Sequence, residues 1–171
     1  MDILVAGGTG FIGSYLCRAL AEGGHDVTAL ARSRGETPDG VDLVTGNVTD
    51  YDSIAGAVAG RDAVVNLVAL SPLFEPKGGN VMHDRIHRGG TENLVNAAEA
   101  GDVDGFVQLS ALGADPTGET AYIRAKGQAE EIVRESDLDW TIFRPSVVFG
   151  EGGEFVSFTK RLKGMFAPGV P

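Results

Sequence analysis

Short apolar runs alternate along this chain with longer stretches in which apolar residues recur every three or four positions. The runs predict strands at Asp2–Ala6, His25–Ala31, Val41–Thr45, Ala63–Ala69, Gly105–Ser110 and Trp140–Phe143. The longer stretches predict helices over Phe11–Glu22, from a cap at Asp50 to Val58, over Val81–Ala100, over Glu119–Glu135 and over Glu154–Lys163. Gly23-Gly24, Gly60 and Gly101 stand where helices should stop. Strands that alternate with helices pair in parallel through right-handed crossovers. The expected fold class is α/β, a doubly wound, mostly parallel sheet in three α/β/α layers, formed by residues 1–171 as one domain. The expected strand order is 3-2-1-4-5-6, which puts a ligand at the carboxyl ends of the strands.

The first strand runs into Gly7-Gly8-Thr9-Gly10-Phe11-Ile12-Gly13. A strand, a glycine turn and a helix form a cradle for a diphosphate. The turn asks for positive φ, the backbone must approach the anion closely, and the helix N-terminus presents free N–H groups. Gly8, Gly10 and Gly13 fit one fingerprint spacing, and Gly7, Gly10 and Gly13 fit another. Either way Gly7, Gly10, Phe11, Ile12 and Gly13 are cofactor-binding candidates.

At the end of the second strand the chain reads Ala31-Arg32-Ser33-Arg34. An acidic residue there would hold a ribose 2′-hydroxyl and select NAD. A guanidinium pairs with a 2′-phosphate instead, so Arg32 points to NADP, with NAD the alternative. Asn47 and Val48 follow the third strand, where an adenine would lie, with an amide for its exocyclic nitrogen and an apolar surface for the ring. Val68 and Ala69 follow the fourth strand and would pass beneath the ribose and diphosphate.

Tyr122 and Lys126 stand four apart and share one helix face. A phenol titrates near pH 10 and is a poor acid–base group at neutrality. A neighbouring ammonium is expected to lower that pKa.

Composition narrows the picture. With 43% hydrophobic and 22% charged residues, the chain has the balance of a globular domain. No apolar run approaches the roughly 20 residues a bilayer needs, and no basic leader precedes the first strand, so a cytoplasmic location is expected. A net charge of −10 argues against nucleic acid and anionic membranes as partners. The excess of Asp over Glu and of Arg over Lys suggests a salt-adapted surface. Cys17, the single cysteine, is expected to be buried and inert.

Taken as a set, the glycine stretch, the Tyr122/Lys126 pair and Arg144-Pro145-Ser146-Val147-Val148-Phe149-Gly150 resemble the extended or atypical short-chain dehydrogenases/reductases. Val65-Asn66-Leu67-Val68, His87-Arg88-Gly89-Gly90-Thr91 and Ser110-Ala111-Leu112-Gly113-Ala114-Asp115 narrow the resemblance. They are similar to the branch that includes the nucleotide-binding accessory subunit of respiratory complex I and proteins related to nucleoside-diphosphate-sugar epimerases.

The resemblance implies a Rossmann fold and a bound NAD(P). It implies Tyr122 as acid–base residue, Lys126 as the group that tunes it and holds the nicotinamide ribose, and Pro145 at the cofactor. It also implies hydride transfer with an unidentified small molecule, or transient oxidation of a nucleotide-sugar. A non-catalytic dinucleotide-binding subunit or redox sensor is the other reading. Association with a respiratory complex, or of like chains with one another, stays open. Active relatives carry Ser or Thr after the fifth strand. Here Ala111 takes that place, and Ser110 is the candidate substitute. The resemblance further implies a C-terminal substrate-binding part that is truncated or absent here.

Other signals are weighed and set aside. His83 and His87 have metal-like spacing but no third ligand is evident, so no metal is expected. His87 is expected near the cofactor loop. Asp102 with Asp104, and Asp137 with Asp139, read as solvated turns, Glu130-Glu131 as a solvated helix face, and Trp140 as core.

Overall fold

A computed structural model describes residues 1–71, 73–150 and 153. Six strands form one parallel sheet in the order β3-β2-β1-β4-β5-β6. They are β1 (Asp2–Ala6), β2 (Asp26–Ala31), β3 (Val41–Thr45), β4 (Ala63–Asn66), β5 (Gly105–Leu109) and β6 (Asp139–Phe143). The helices are α1 (Phe11–Glu22), α2 (Asp52–Val58), α3 (Val81–His83), α4 (Gly89–Ala100) and α5 (Ala121–Glu135), with a π-helical turn at Asp84–Arg88 between α3 and α4. This is the expected Rossmann architecture with the expected strand order.

The central strands are apolar throughout because each of their faces is covered. Ile3 and Val5 of β1 and Val27 and Ala29 of β2 pack with Cys17, Leu16 and Leu20 of α1. Leu4 and Ala6 of β1 and Leu30 of β2 point the other way. They meet Ile54 and Val58 of α2, Leu94 of α4, and Val133 of α5. No helix among the described residues is long and apolar enough to cross a membrane.

Several boundaries differ from the sequence pattern, each for a local reason. β4 stops at Asn66 because the Asn66 carboxamide oxygen accepts the Val68 N–H at 3.1 Å and turns the chain out of the sheet. The expected helix over Val81–Ala100 is divided by the π turn. α5 begins at Ala121, with Thr120 Oγ1 capping the Ile123 N–H. Asp50 does not cap α2 through its side chain. Instead its carbonyl, like that of Asn47, accepts the Ser53 hydroxyl. Trp140 is not core: β6 is an edge strand, and the indole keeps 38% of its surface exposed. The helix expected over Glu154–Lys163 lies outside the described residues.

Candidate functional site

The glycine turn sits at the carboxyl end of β1, in the centre of the sheet. Gly7 has φ +83°, a region costly for any residue with a Cβ, and donates its N–H to Leu30 O at 2.9 Å. A Cβ at Gly13 would overlap the Gly7 carbonyl oxygen, so α1 can lie this close to the turn only with glycine there. Gly8 packs away from the turn, where a Cβ would come within 2.7 Å of the Ala29 side chain. Gly7, Gly10 and Gly13 line the cavities over the turn, whereas Gly8 is not among the described lining residues. Gly10 is the N-cap of α1 and offers no side chain to its first-turn N–H groups. Those donors and the positive helix end face the cleft at Phe11 and Ile12.

Two cavities meet over this turn. One, of about 390 Å³, is lined by Gly7, Gly10, Arg32, Asn47, Val48, Val68 and Ala69 among others. The second, of about 380 Å³, shares Gly7, Gly10 and Ala69 and adds Phe11, Ile12, Gly13, Ser110, Tyr122, Lys126 and Pro145. The fold thus gathers the residues named as cofactor-binding and acid–base candidates onto the walls of two adjoining cavities. A dinucleotide needs such a cleft, with an anion cradle in the middle and a pocket on each side.

In the first pocket Arg32 is exposed and has no ion-pair or hydrogen-bond partner among the described residues. Asn47 Oδ1 accepts the Thr49 N–H at 3.2 Å, which sets the side chain's orientation. Val48 is buried, with Gly90 closely beneath it and its carbonyl held by Asn93 Nδ2 at 2.8 Å. The lining residues not singled out for this site in the sequence include Met82, Arg85 and Ile86. Their spacing puts them on one helical face, which the sequence does show.

The floor of the cleft is braced by a buried polar chain. Asn66 Nδ2 donates to Thr91 Oγ1 and to Gln108 Oε1, each at 3.0 Å. The carboxamide of Asn66 thereby ties β4 to β5 and α4 while shaping the 67–69 segment above it.

In the second pocket Lys126 is buried and its Nζ donates to Leu109 O at 2.9 Å. Burial lowers its pKa to about 8, against a smaller opposing pull from the Glu130 carboxylate. Tyr122 packs its ring edge-on against His83 and His87, with centroids 5.6 and 5.3 Å away. The expected depression of the phenol by Lys126 is not found: burial raises the Tyr122 pKa. The ammonium that was to do the tuning is directed at the Leu109 carbonyl.

His87 Nε2 accepts the Leu70 N–H at 2.9 Å, which anchors the loop after β4. Burial, the Lys126 charge and His83 push His87 down to about 2, so the imidazole is neutral and carries its proton on Nδ1. Burial also lowers His83.

Ser110 does not offer its hydroxyl to the cleft. The Oγ is buried, lacks a partner in hydrogen-bond geometry, and lies on the side of Glu130, whose carboxylate it helps stabilise. Ala111 presents a methyl group in the place expected for an oxygen-binding hydroxyl. The role expected of Ser110 as substitute is therefore not supported by this geometry.

Glu130 is not on a solvated face. It is fully buried one turn beyond Lys126. Arg144 Nε reaches its Oε1 at 2.8 Å, and Arg134 its Oε2 at 2.6 Å. Burial pushes the carboxyl up, but the guanidinium bonds from Arg144 and Arg134, with the Ser110 hydroxyl nearby, outweigh it and leave the pKa below the ordinary value. Glu130 thus joins α5, which carries Tyr122 and Lys126, to the Arg144-Pro145 segment on the facing wall. Cys17 is buried, as expected, and burial raises its pKa to about 11, so the thiol is inert.

Residues 7–164 match a family of proteins described as NAD(P)H-binding. The chain is 33% identical to the 2-alkyl-3-oxoalkanoate reductase of Stenotrophomonas maltophilia, over 90% of this chain and 53% of that one. It is 31% identical to the mitochondrial NADH dehydrogenase [ubiquinone] 1 alpha subcomplex subunit 9 of Arabidopsis thaliana, over 85% of this chain and 38% of that one. Among solved structures, a putative NAD-dependent epimerase/dehydratase from Bacillus halodurans aligns with TM-score 0.74 and 29% identity, over 85% of this chain and 70% of that one. The Bordetella bronchiseptica enzyme WbmH, in complex with NAD+, shares the fold with TM-score 0.79 at 23% identity, over 96% of this chain and 62% of that one. The chain spans about half the length of the curated relatives it matches, 53% and 58% for two of them.

Proposed function

The chain belongs to the NAD(P)H-binding family, and on that premise we propose that it holds NADP in preference to NAD and serves an oxidoreductase or epimerase reaction through Tyr122. The observation that supports this reading is the continuity of the cleft: Arg32, the glycine turn and the Tyr122/Lys126 pair lie along one surface. The cradle fits a dinucleotide. Gly7 and Gly13 keep the turn tight, and Gly10 leaves the first-turn N–H groups of α1 uncapped for a diphosphate. Arg32 is free to pair with a 2′-phosphate. In its reduced form, NADPH, the bound cofactor would supply the hydride.

The chain's own residues would manage the proton. With its pKa raised by burial, Tyr122 is protonated at neutral pH and suited to donate to a carbonyl oxygen as hydride reaches the carbonyl carbon. Lys126, already bound to Leu109 O, keeps further N–H donors for the ribose. Leu67, Leu70, Val147 and Val148 give the reacting end an apolar lining. The reductase and epimerase relatives support this class of reaction.

A second reading has its own observation. Ala111 has no donor for a developing oxyanion, and the Ser110 hydroxyl is buried. Loss of one such donor lowers turnover about 10²- to 10³-fold in a well-studied hydrolase. In this reading the cofactor is bound for structure or sensing, as a subunit of a respiratory assembly would use it. The test follows NADPH oxidation with a panel of quinones, aldehydes and nucleotide-sugars, for the unmodified chain, Ala111→Ser and Tyr122→Phe. Turnover that rises in Ala111→Ser and vanishes in Tyr122→Phe supports the enzyme. Tight binding with no turnover in any form supports the second reading and refutes the first.

A further inference from the structure

We propose that Arg85 is a second phosphate-binding cation of the cleft, supplied by the π turn and acting alongside Arg32. The proposal rests on the reading of the cleft as a dinucleotide site.

The charge balance of the first pocket is the leading observation. The chain has 24 acidic residues against 14 lysines and arginines, yet no described residue lining this pocket is acidic. The charged lining residues are Arg32 and Arg85 alone. An acidic chain that keeps carboxylates off one concave surface, and places two guanidiniums there, has made that surface attractive to an anion.

Arg85 is also uncompensated. The acids nearest to it along the chain are engaged elsewhere: Asp84 Oδ1 bonds Arg88 Nε at 2.7 Å, and Glu92 Oε2 bonds Arg88 Nη1 at 3.1 Å. No ion pair or hydrogen bond engages the Arg85 side chain among the described residues, and the residue is exposed. A solvated guanidinium at a cavity rim can pair with a phosphate without the desolvation cost a buried one would carry. Its planar fork suits two phosphate oxygens at once.

Arg85 stands within the π turn at Asp84–Arg88. His83 and His87 of this segment face Tyr122, while Met82, Arg85 and Ile86 line the pocket. Met82 and Ile86 give an apolar wall for a ring, and Arg85 puts a cation at its edge. A nucleotide carries both features, an apolar base and an adjoining phosphate. That phosphate is either the 2′-phosphate or the diphosphate.

Titrations of NADPH and NADH with the full chain, Arg85→Ala, Arg85→Lys and Arg32→Ala, at two salt concentrations, test the assignment. Arg85 holds nothing in the fold, so the melting temperature of Arg85→Ala should match the unmodified chain. Its affinity for NADPH should fall about 10- to 100-fold, the range for one charge-assisted contact. Arg85→Lys should keep part of the affinity, and the salt dependence of binding should be shallower in Arg85→Ala. A loss confined to NADPH places Arg85 on the 2′-phosphate, and an equal loss for NADH places it on the diphosphate. Unchanged affinity for both cofactors in a folded Arg85→Ala overturns the proposal while leaving the dinucleotide site intact. Failure of the unmodified chain to bind either cofactor overturns the site and the proposal together.

Discussion

Lys126 reaches from α5 to the carbonyl of Leu109 at 2.9 Å, so the acid–base helix is tied to the last residue of β5 by an ammonium that is itself buried. Burial brings its pKa from 10.5 to about 8. The unfolded chain therefore binds this proton more tightly than the folded chain, and Lys126 makes stability rise with pH between about 8 and 10.5. Urea unfolding at pH 8 and pH 10 should show the unmodified chain gaining about 2 kcal/mol relative to Lys126→Met. Parallel changes in the two proteins would show that Lys126 is not held as a destabilised cation.

His87 acts at the other end of the pH scale. It remains neutral in the folded chain, packed against Tyr122 and His83 and pushed down to about 2, while the unfolded imidazole titrates near 6.5. Protons then favour the unfolded state, and the His87 contribution present above 6.5 is lost as pH falls from 6.5 towards 2. Between pH 7 and pH 5 the loss should be about 2 kcal/mol for the unmodified chain beyond that for His87→Gln. The glutamine carbonyl oxygen can take the place of Nε2 as acceptor for the Leu70 N–H. Equal losses in the two proteins would mean that the imidazole picks up its proton without unfolding.

The glycines of the turn should separate folding from binding. Gly13→Ala puts a methyl against the Gly7 carbonyl oxygen and should cost about 1–3 kcal/mol of stability. Gly10→Val meets only the Gly7 oxygen, at 3.2 Å from its Cβ, and otherwise projects into open space. That variant should keep its circular dichroism spectrum and lose dinucleotide binding. A folded Gly10→Val that binds as before would contradict the cradle.

Glu130→Gln should loosen the cleft without touching its ligand. The neutral amide leaves Arg144 and Arg134 without their shared carboxylate. Both arginines are partly exposed, so the cost should be about 1–3 kcal/mol. The more telling readout is hydrogen exchange: amides near Pro145 should exchange faster in the variant, and those of β1 should not. Uniform acceleration would assign Glu130 to global stability alone.

The fold was legible because its central strands are apolar on both faces and its glycines stand at positions of fixed backbone geometry. Gly7, Arg32, Tyr122 and Lys126 could be read from spacing as neighbours of one cleft because each stands at the carboxyl end of a strand or on the helix beside it. Glu130 was misread because a lone carboxylate on a helix says nothing about a partner 14 residues further along the chain. The signal was present: Tyr122, Lys126 and Glu130 are successive i, i+4 positions on one face, and Arg144 heads the next motif. Ser110 failed for the complementary reason, since sequence places a hydroxyl at the strand end but not on which side of the backbone it lies. Arg85 shares one helical face with Met82 and Ile86, but an exposed arginine on such a face does not by itself mark a pocket wall. Trp140 read as core because its residue type suggests burial, whereas its strand lies at the sheet edge.

Calorimetric titration of the purified chain with NADPH and with NADH, repeated on Arg32→Asp, tests the proposed site most directly. NADPH should bind the unmodified chain about 10- to 100-fold more tightly than NADH, as one charge-assisted bond to the 2′-phosphate requires. Arg32→Asp should abolish or reverse that preference while leaving NADH affinity nearly unchanged. Equal affinities for the two cofactors in the unmodified chain, or binding of neither, would contradict the assignment of this cleft to NADP.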